Sequence, residues 1–127
     1  MATIENDGWT LISAEDRHAQ HPDTFHIPSR EARESLVRGD AAKLLFDLET
    51  RDGTQVTDRG VDRLWVIVKE RTGGDYVGVL ESDPGFAEGL NLHTGQLITF
   101  RPEHVAEIDR PPRQYLEKKY GASFFED

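Results

Sequence analysis

A chain of 127 residues without cysteine has no disulfide framework and no thiolate zinc site, so a single domain of this length must be held together by burial. Its 24 Asp and Glu against 15 Lys and Arg give a net charge of -9, spread along the whole sequence. That balance disfavours nucleic acid as a partner, because affinity for a phosphate backbone comes largely from cationic side chains. The opening MATIENDGWTLIS is acidic where a signal peptide is basic, and no apolar run approaches the ~18 residues that cross a bilayer, so a soluble cytoplasmic protein without a membrane partner is expected.

Residues 1–28 are the least regular part: Trp9, Leu11 and Ile12 stand among polar residues, and Pro22 and Pro28 forbid a continuous helix. A short helix is predicted to start at Ser13, whose hydroxyl is placed to cap it with Asp16 three residues on, before Pro22 blocks extension. A second is predicted over residues 30–37, with Ser29 as cap, Glu31 in the first turn, Ala32 and Leu36 stacked, and Gly39 as the stop.

After Asp40 the period changes to two. In KLLFDLE, Leu44, Phe46 and Leu48 share one face, while Lys43, Asp47 and Glu49 share the other with Leu45, the pattern of a half-buried strand. TRDGTQVTDRG, residues 50–60, reads as an exposed, mobile loop because only Val56 is there to bury. LWVIV, residues 64–68, is apolar on both faces and predicts a central strand covered on both sides, with Trp65 toward the outer cover. Gly73-Gly74 supplies a hairpin turn into YVGVL, where Gly78 marks a bend or a close approach. SDPGFAEGLN is a second loop, tucked down by Phe86 and Leu90, and QLITF is a fourth strand that Pro102 breaks. Residues 104–109 offer a short fifth strand with Ala106 and Ile108 inward. Pro111-Pro112 then opens a C-terminal helix with Leu116 and Tyr120 on one face and Gly121 as its cap, and Phe124 and Phe125 dock the tail. The strand after Gly39 and the strand after Gly95 echo each other, LVRGDAAKLLF against LHTGQLITF, as two entries into a bent sheet through a glycine turn.

Chemistry is sparsely signalled. His18, His21 and His26 lie close together with Asp16 and Asp23, a set of imidazole and carboxylate groups that suits a metal, but Pro22 interrupts them and helical spacing is absent. His104 sits among Glu103, Glu107 and Asp109, which are expected to raise its pKa and make a pH-sensitive surface patch. No G-x-S-x-G elbow, S-x-x-K pair or phosphate-cradling glycine loop occurs, and acids are too numerous for a pair of them to carry meaning. No catalytic residue and no cofactor are therefore assigned. A groove lined by Trp9, Phe25, Trp65, Tyr76 and Phe86, beside Asp83, would suit a peptide, against the plainer expectation that large aromatics fill the core.

The ordered motifs F-x-x-P-S-R from Phe25, G-D-x-x-K-L-x-F from Gly39, W-V-x-V from Trp65, Y-x-G-x-L-x-x-D-P from Tyr76, G-x-x-x-x-F from Gly95 and E-H-V from Glu103 resemble the YegJ-like bacterial family, a domain of unknown function. The resemblance covers residues 21–108 and departs at Arg63-Leu64 and at Ser82. It implies a bacterial protein and carries over no catalytic residue.

The expectation is an α+β domain: a small, strongly bent antiparallel sheet of about five strands with SH3-like barrel character and two or three short helices packed around it. One domain spans residues 1–127, with an N-terminal arm to residue 28, helix and sheet over 29–109, and a C-terminal helix and tail from 110. The function expected is a non-catalytic acidic module that binds a basic protein partner, of inhibitor or immunity type. A small metal-dependent hydrolase built on the N-terminal histidines and a nucleic-acid-binding barrel are the alternatives.

Overall fold

The period-two run after Asp40 builds the central strand. In the computed structural model, which describes residues 1–84 and 90–126, β1 (Trp9–Ile12), β2 (Ala41–Asp52), β3 (Gln55–Thr72), β4 (Asp75–Leu80), β5 (Leu97–Phe100) and β6 (Val105–Asp109) form one curled antiparallel sheet. Its path is β1-β2-β3-β4-β5. β6 lies on the same side of β2 as β1, beside Ala41–Leu44, while β1 takes Leu45–Leu48. A 3₁₀ turn at Pro102–His104 carries the chain from β5 to β6, which gives the half-barrel its SH3-like character.

The alternation in β2 sorts the two faces as expected. Leu44, Phe46 and Leu48 are fully buried and join Trp9, Leu64, Val66, Tyr76, Ile98 and Phe100 in the barrel interior. On the outer face Ala41, Trp65 and Ile67 are covered by α4 (Arg113–Tyr120) and the 3₁₀ turn after it, through Leu116, Tyr120, Phe124 and Phe125. Leu45 and Ala106 are covered by α2 (Ala14–Gln20) and the arm, through Ile12, Ala14, Phe25 and Ile27. Two outer covers explain why β3 reads as apolar on both sides and why Leu45 stands on the otherwise polar face of β2.

The caps predicted from sequence form. Ser13 accepts from the Asp16 amide and Ser29 from the Ala32 amide, each at 3.1 Å. α3 (Arg30–Glu34) is shorter than the predicted 30–37, because the chain turns at Ser35 to place Leu36 in the core. A further short helix, α1 (Ile4–Asp7), precedes β1.

Three expectations are corrected. Residues 50–60 are not a loop: β2 and β3 continue as a hairpin that turns at Gly53-Thr54, with Gly53 at φ 64°. The alternating charges that suggested solvent are cross-strand partners. Arg59 lies opposite Glu49 and donates to Glu49 at 3.3 Å and to Asp47 at 3.0 Å, and the hydroxyls of Thr50 and Thr57 meet at 3.0 Å. Residues 9–12, assigned to an irregular arm, are a strand too short for periodicity to reveal. Ala106 does not share a face with Ile108, because the register shifts where β6 passes Lys43 and Leu44 and turns Ala106 to the outer cover.

Gly78 is a point of close approach. A Cβ there would lie 2.5 Å from Val66 Cγ1 and 2.6 Å from the Ile67 carbonyl oxygen, and the second contact is with backbone that cannot swing away. Gly78→Ala is therefore expected to lower unfolding free energy by about 1–3 kcal/mol, the usual cost of overpacking, measured by denaturant titration. Gly74→Ala, at a position with open space around it, serves as the control and should leave stability within about 1 kcal/mol.

Candidate functional site

The residues singled out from sequence do not gather on one surface. Trp9 is buried, its indole N–H donating to the Asn91 carbonyl at 2.7 Å. Tyr76 is fully buried, and its hydroxyl donates to the Arg33 carbonyl at 2.8 Å and accepts from the Leu36 amide at 3.2 Å. Trp65 lies half-buried among the residues of α4, with the Lys43 ammonium 4.9 Å from its ring centroid. Phe25 belongs to the other outer cover, with the Arg63 guanidinium at 5.7 Å. Asp83 is exposed, and Phe86 lies outside the described residues. Among the described residues Trp9 and Tyr76 belong to the interior, and Trp65 and Phe25 to two separate outer covers.

The N-terminal histidines also separate. His18 Nδ1–H donates to the Phe25 carbonyl at 2.6 Å and closes the arm onto α2, while His21 and His26 are exposed. Among the described residues no three His, Asp or Glu side chains are grouped to hold a metal ion.

One polar assembly was not legible in sequence. Arg33 is only 5% exposed, on a short surface helix where a guanidinium normally reaches water. It donates to Glu15 at 2.5 Å, to the Pro28 carbonyl at 3.0 Å and to the Pro102 carbonyl at 3.1 Å. With Tyr76 on its own carbonyl, this residue ties together α2, the arm, α3, β4 and the turn before β6. Every interaction is internal, which makes the assembly a clasp. Glu81 does the same for α4, one carboxylate oxygen accepting from the Tyr115 hydroxyl at 3.0 Å, Lys119 at 3.2 Å and the Tyr120 hydroxyl at 3.3 Å. Burial, followed by the Glu81 charge and hydrogen bond, pushes the Tyr120 phenol up.

The surface that remains open is the seam of the half-barrel. β1 and β5 end the sheet path, and among the described residues neither has a second neighbour. The Glu49 amide donates to the Gly8 carbonyl, so the register puts Thr10 and Ile12 in hydrogen-bonded pairs with β2 and turns the backbone groups of Trp9 and Leu11 away from it. The Leu80 amide donates to the Gln96 carbonyl, which by the same logic turns the backbone groups of Leu97 and Thr99 away from β4. These two edges border a cleft of about 340 Å³ lined by Trp9, Thr10, Leu11, Leu97, Ile98 and Thr99, with Met1 and Ala2 at its rim. Leu97 is 59% exposed and also borders a groove of about 540 Å³ beside α4, whose floor includes Val77, Val79 and Phe124. The signal for the seam lay in QLITF, whose exposed face carries no charge.

Comparison with protein-family models, curated proteins and solved structures finds no match to this chain.

His104, at the joint between β5 and β6, is 7% exposed and its Nδ1 accepts from the Arg101 amide at 2.9 Å, a bond available only to the neutral ring. The expectation that neighbouring acids raise its pKa is corrected: burial holds it below the ordinary 6.5, Glu103 and Asp75 opposing and Arg101 assisting. Because the unfolded chain takes up the proton more readily, this group's contribution is full above pH 6.5 and is lost as pH falls below it. Thermal unfolding from pH 8 to pH 5 should show a decline in Tm below about pH 6.5 that His104→Asn, which keeps an acceptor and cannot titrate, flattens.

Proposed function

We propose that the chain is a non-catalytic protein-binding module that receives an extended segment of its partner in the seam between β1 and β5. The observation that carries this reading is the pair of strand edges bordering one cleft, each presenting backbone groups that are unpaired among the described residues. Strand addition at such an edge draws its affinity from main-chain hydrogen bonds and its selectivity from alternate side-chain pockets. The exposed Leu97 supplies an apolar anchor between cleft and groove. The net charge of -9 favours a basic partner by steering its approach, the behaviour of a small inhibitor or immunity-type protein.

The motifs that resemble the YegJ-like family fall on structural joints. Ser29 caps α3, Tyr76 holds the Arg33 carbonyl, and Gly78 admits the neighbouring strand. They support a shared scaffold with that family more than a shared reacting centre. Against the hydrolase, His18 is committed to the Phe25 carbonyl, and among the described residues no three His, Asp or Glu side chains are grouped to hold a metal. Many of the cations are engaged by carboxylates, as Arg33, Arg51, Arg59 and Lys119 are, which weighs against nucleic acid.

Two substitutions separate binding from folding. Leu97→Arg changes an exposed side chain, and Thr99→Pro removes an amide that β4 does not use. Affinity capture from host cell lysate should recover a protein with the wild type at low salt and lose it with both variants, while their Tm stays within a few degrees of the wild type. Capture that is equally strong with both variants would remove the seam from the reading.

A further inference from the structure

Successive antiparallel pairings make β1 and β5 run in the same direction, so one strand lying between them can be antiparallel to both. Such a strand alternates. Its residues bonded to Trp9 and Leu11 turn their side chains inward, toward Ile98 and Phe100. Those bonded to Leu97 and Thr99 turn outward, toward the groove beside α4. β1 and β5 each offer four residues, which sets the length.

The direction also fixes where that strand leaves. Running against β1, it exits beside the start of β1, where Asp7 is shared by the seam and a second cleft of about 250 Å³ bordered by Glu5, Glu49 and Arg51. Glu49 is neutralised there by Arg51 at 2.5 Å and Arg59 at 3.3 Å. Among the described residues no Lys or Arg pairs with Glu5 or Asp7, and the one cation that acts on Asp7 is the Met1 ammonium, so two carboxylates against one ammonium leave this end of the seam negative. Asp7 is held in place by the Asn91 side-chain amide at 2.8 Å and the Thr3 amide at 3.1 Å, and those bonds, the one from Asn91 first, keep its carboxyl below the usual carboxylate range.

We infer that the partner contributes one extended segment antiparallel to β1 and β5, apolar at the positions bonded to β1 and followed at its C-terminal end by Lys or Arg that meets Glu5 and Asp7. The inference rests on the seam reading above and specifies the direction and chemistry of its occupant.

Amidated synthetic peptides test it against the Trp65→Phe protein, in which Trp9 at the cleft is the only indole. One peptide carries Thr-Val-Thr-Val followed by Lys-Arg, a second ends in Glu-Glu, and a third has Lys-Arg moved to the N-terminal end. Trp9 emission should titrate with the first peptide at an affinity about tenfold or more above the other two, and salt should narrow the gap. Glu5→Gln, an exposed change, should narrow it as well, and adding Asp7→Asn should abolish it. Equal binding of all three peptides would overturn the direction and charge of the occupant while leaving the seam as the site. No binding of any, with Leu97→Arg indistinguishable from wild type, would overturn the seam itself. Concentration-dependent dimerisation abolished by Leu97→Arg would place a second copy there and also overturn the inference.

Discussion

β3 is paired with both of its neighbours only over a short overlap, Val66 and Ile67 lying opposite Ala42 and Ala41 of β2 and opposite Leu80 and Val79 of β4, with backbone hydrogen bonds from Val68 to Asp40 and from Glu81 to Trp65 closing its two ends. Before that point the strand belongs to the hairpin with β2, and after it to the hairpin with β4. A sheet joined through so short an overlap folds about it, and the bend brings Gly78 against Val66 and Ile67 at a distance that excludes a Cβ. The interior then fills from both halves, Phe46 and Trp9 from one and Tyr76 and Phe100 from the other, each pair with ring centroids near contact at 5.3 and 5.2 Å. Curvature, core and open seam all follow from this elbow, because a sheet bent over one overlap approaches closure without completing it.

The Arg33 clasp fixes what the elbow leaves loose. Helices of four, seven and five residues have little stability of their own, and two of them border the half-barrel at the turn into β6. A buried guanidinium with one carboxylate and two carbonyl acceptors holds them in one arrangement, since any displacement would strand a desolvated charge. Such a group contributes specificity of arrangement more than net stability. It accounts for a polar residue persisting where an apolar one would pack as well.

Much of this was written in short-range pattern. The two-residue period of KLLFDLE, the Gly73-Gly74 turn, the Ser13 and Ser29 caps and the proline-led C-terminal helix are local devices, and local devices can be read from neighbours in sequence. What escaped depends on pairing at a distance. Arg59 looks like a solvated charge until Asp47 and Glu49 stand across from it, so from sequence alone the hairpin reads as a loop. Trp9–Ile12 has too few residues to show a period and becomes a strand only because half of one edge of β2 is vacant for it. Arg33 shares its spacing with ordinary surface arginines, and nothing in REARE announces that Pro28 and Pro102 will present carbonyls to it.

The seam belongs to the same class of features, since an edge exists only once the neighbours of every other strand are known. Exposed edges are usually blunted by lysine, proline or a covering element. Here the proline at 102 falls beyond β5, Arg51 and Arg59 are engaged by Glu49 and Asp47 within the β2–β3 hairpin, and Leu97 and Thr99 meet solvent without a charged side chain between them. The net charge of -9 carried by the whole chain opposes the approach of a second copy to that edge. Protection by repulsion differs from protection by covering, because it leaves the backbone groups of the edge unpaired among the described residues.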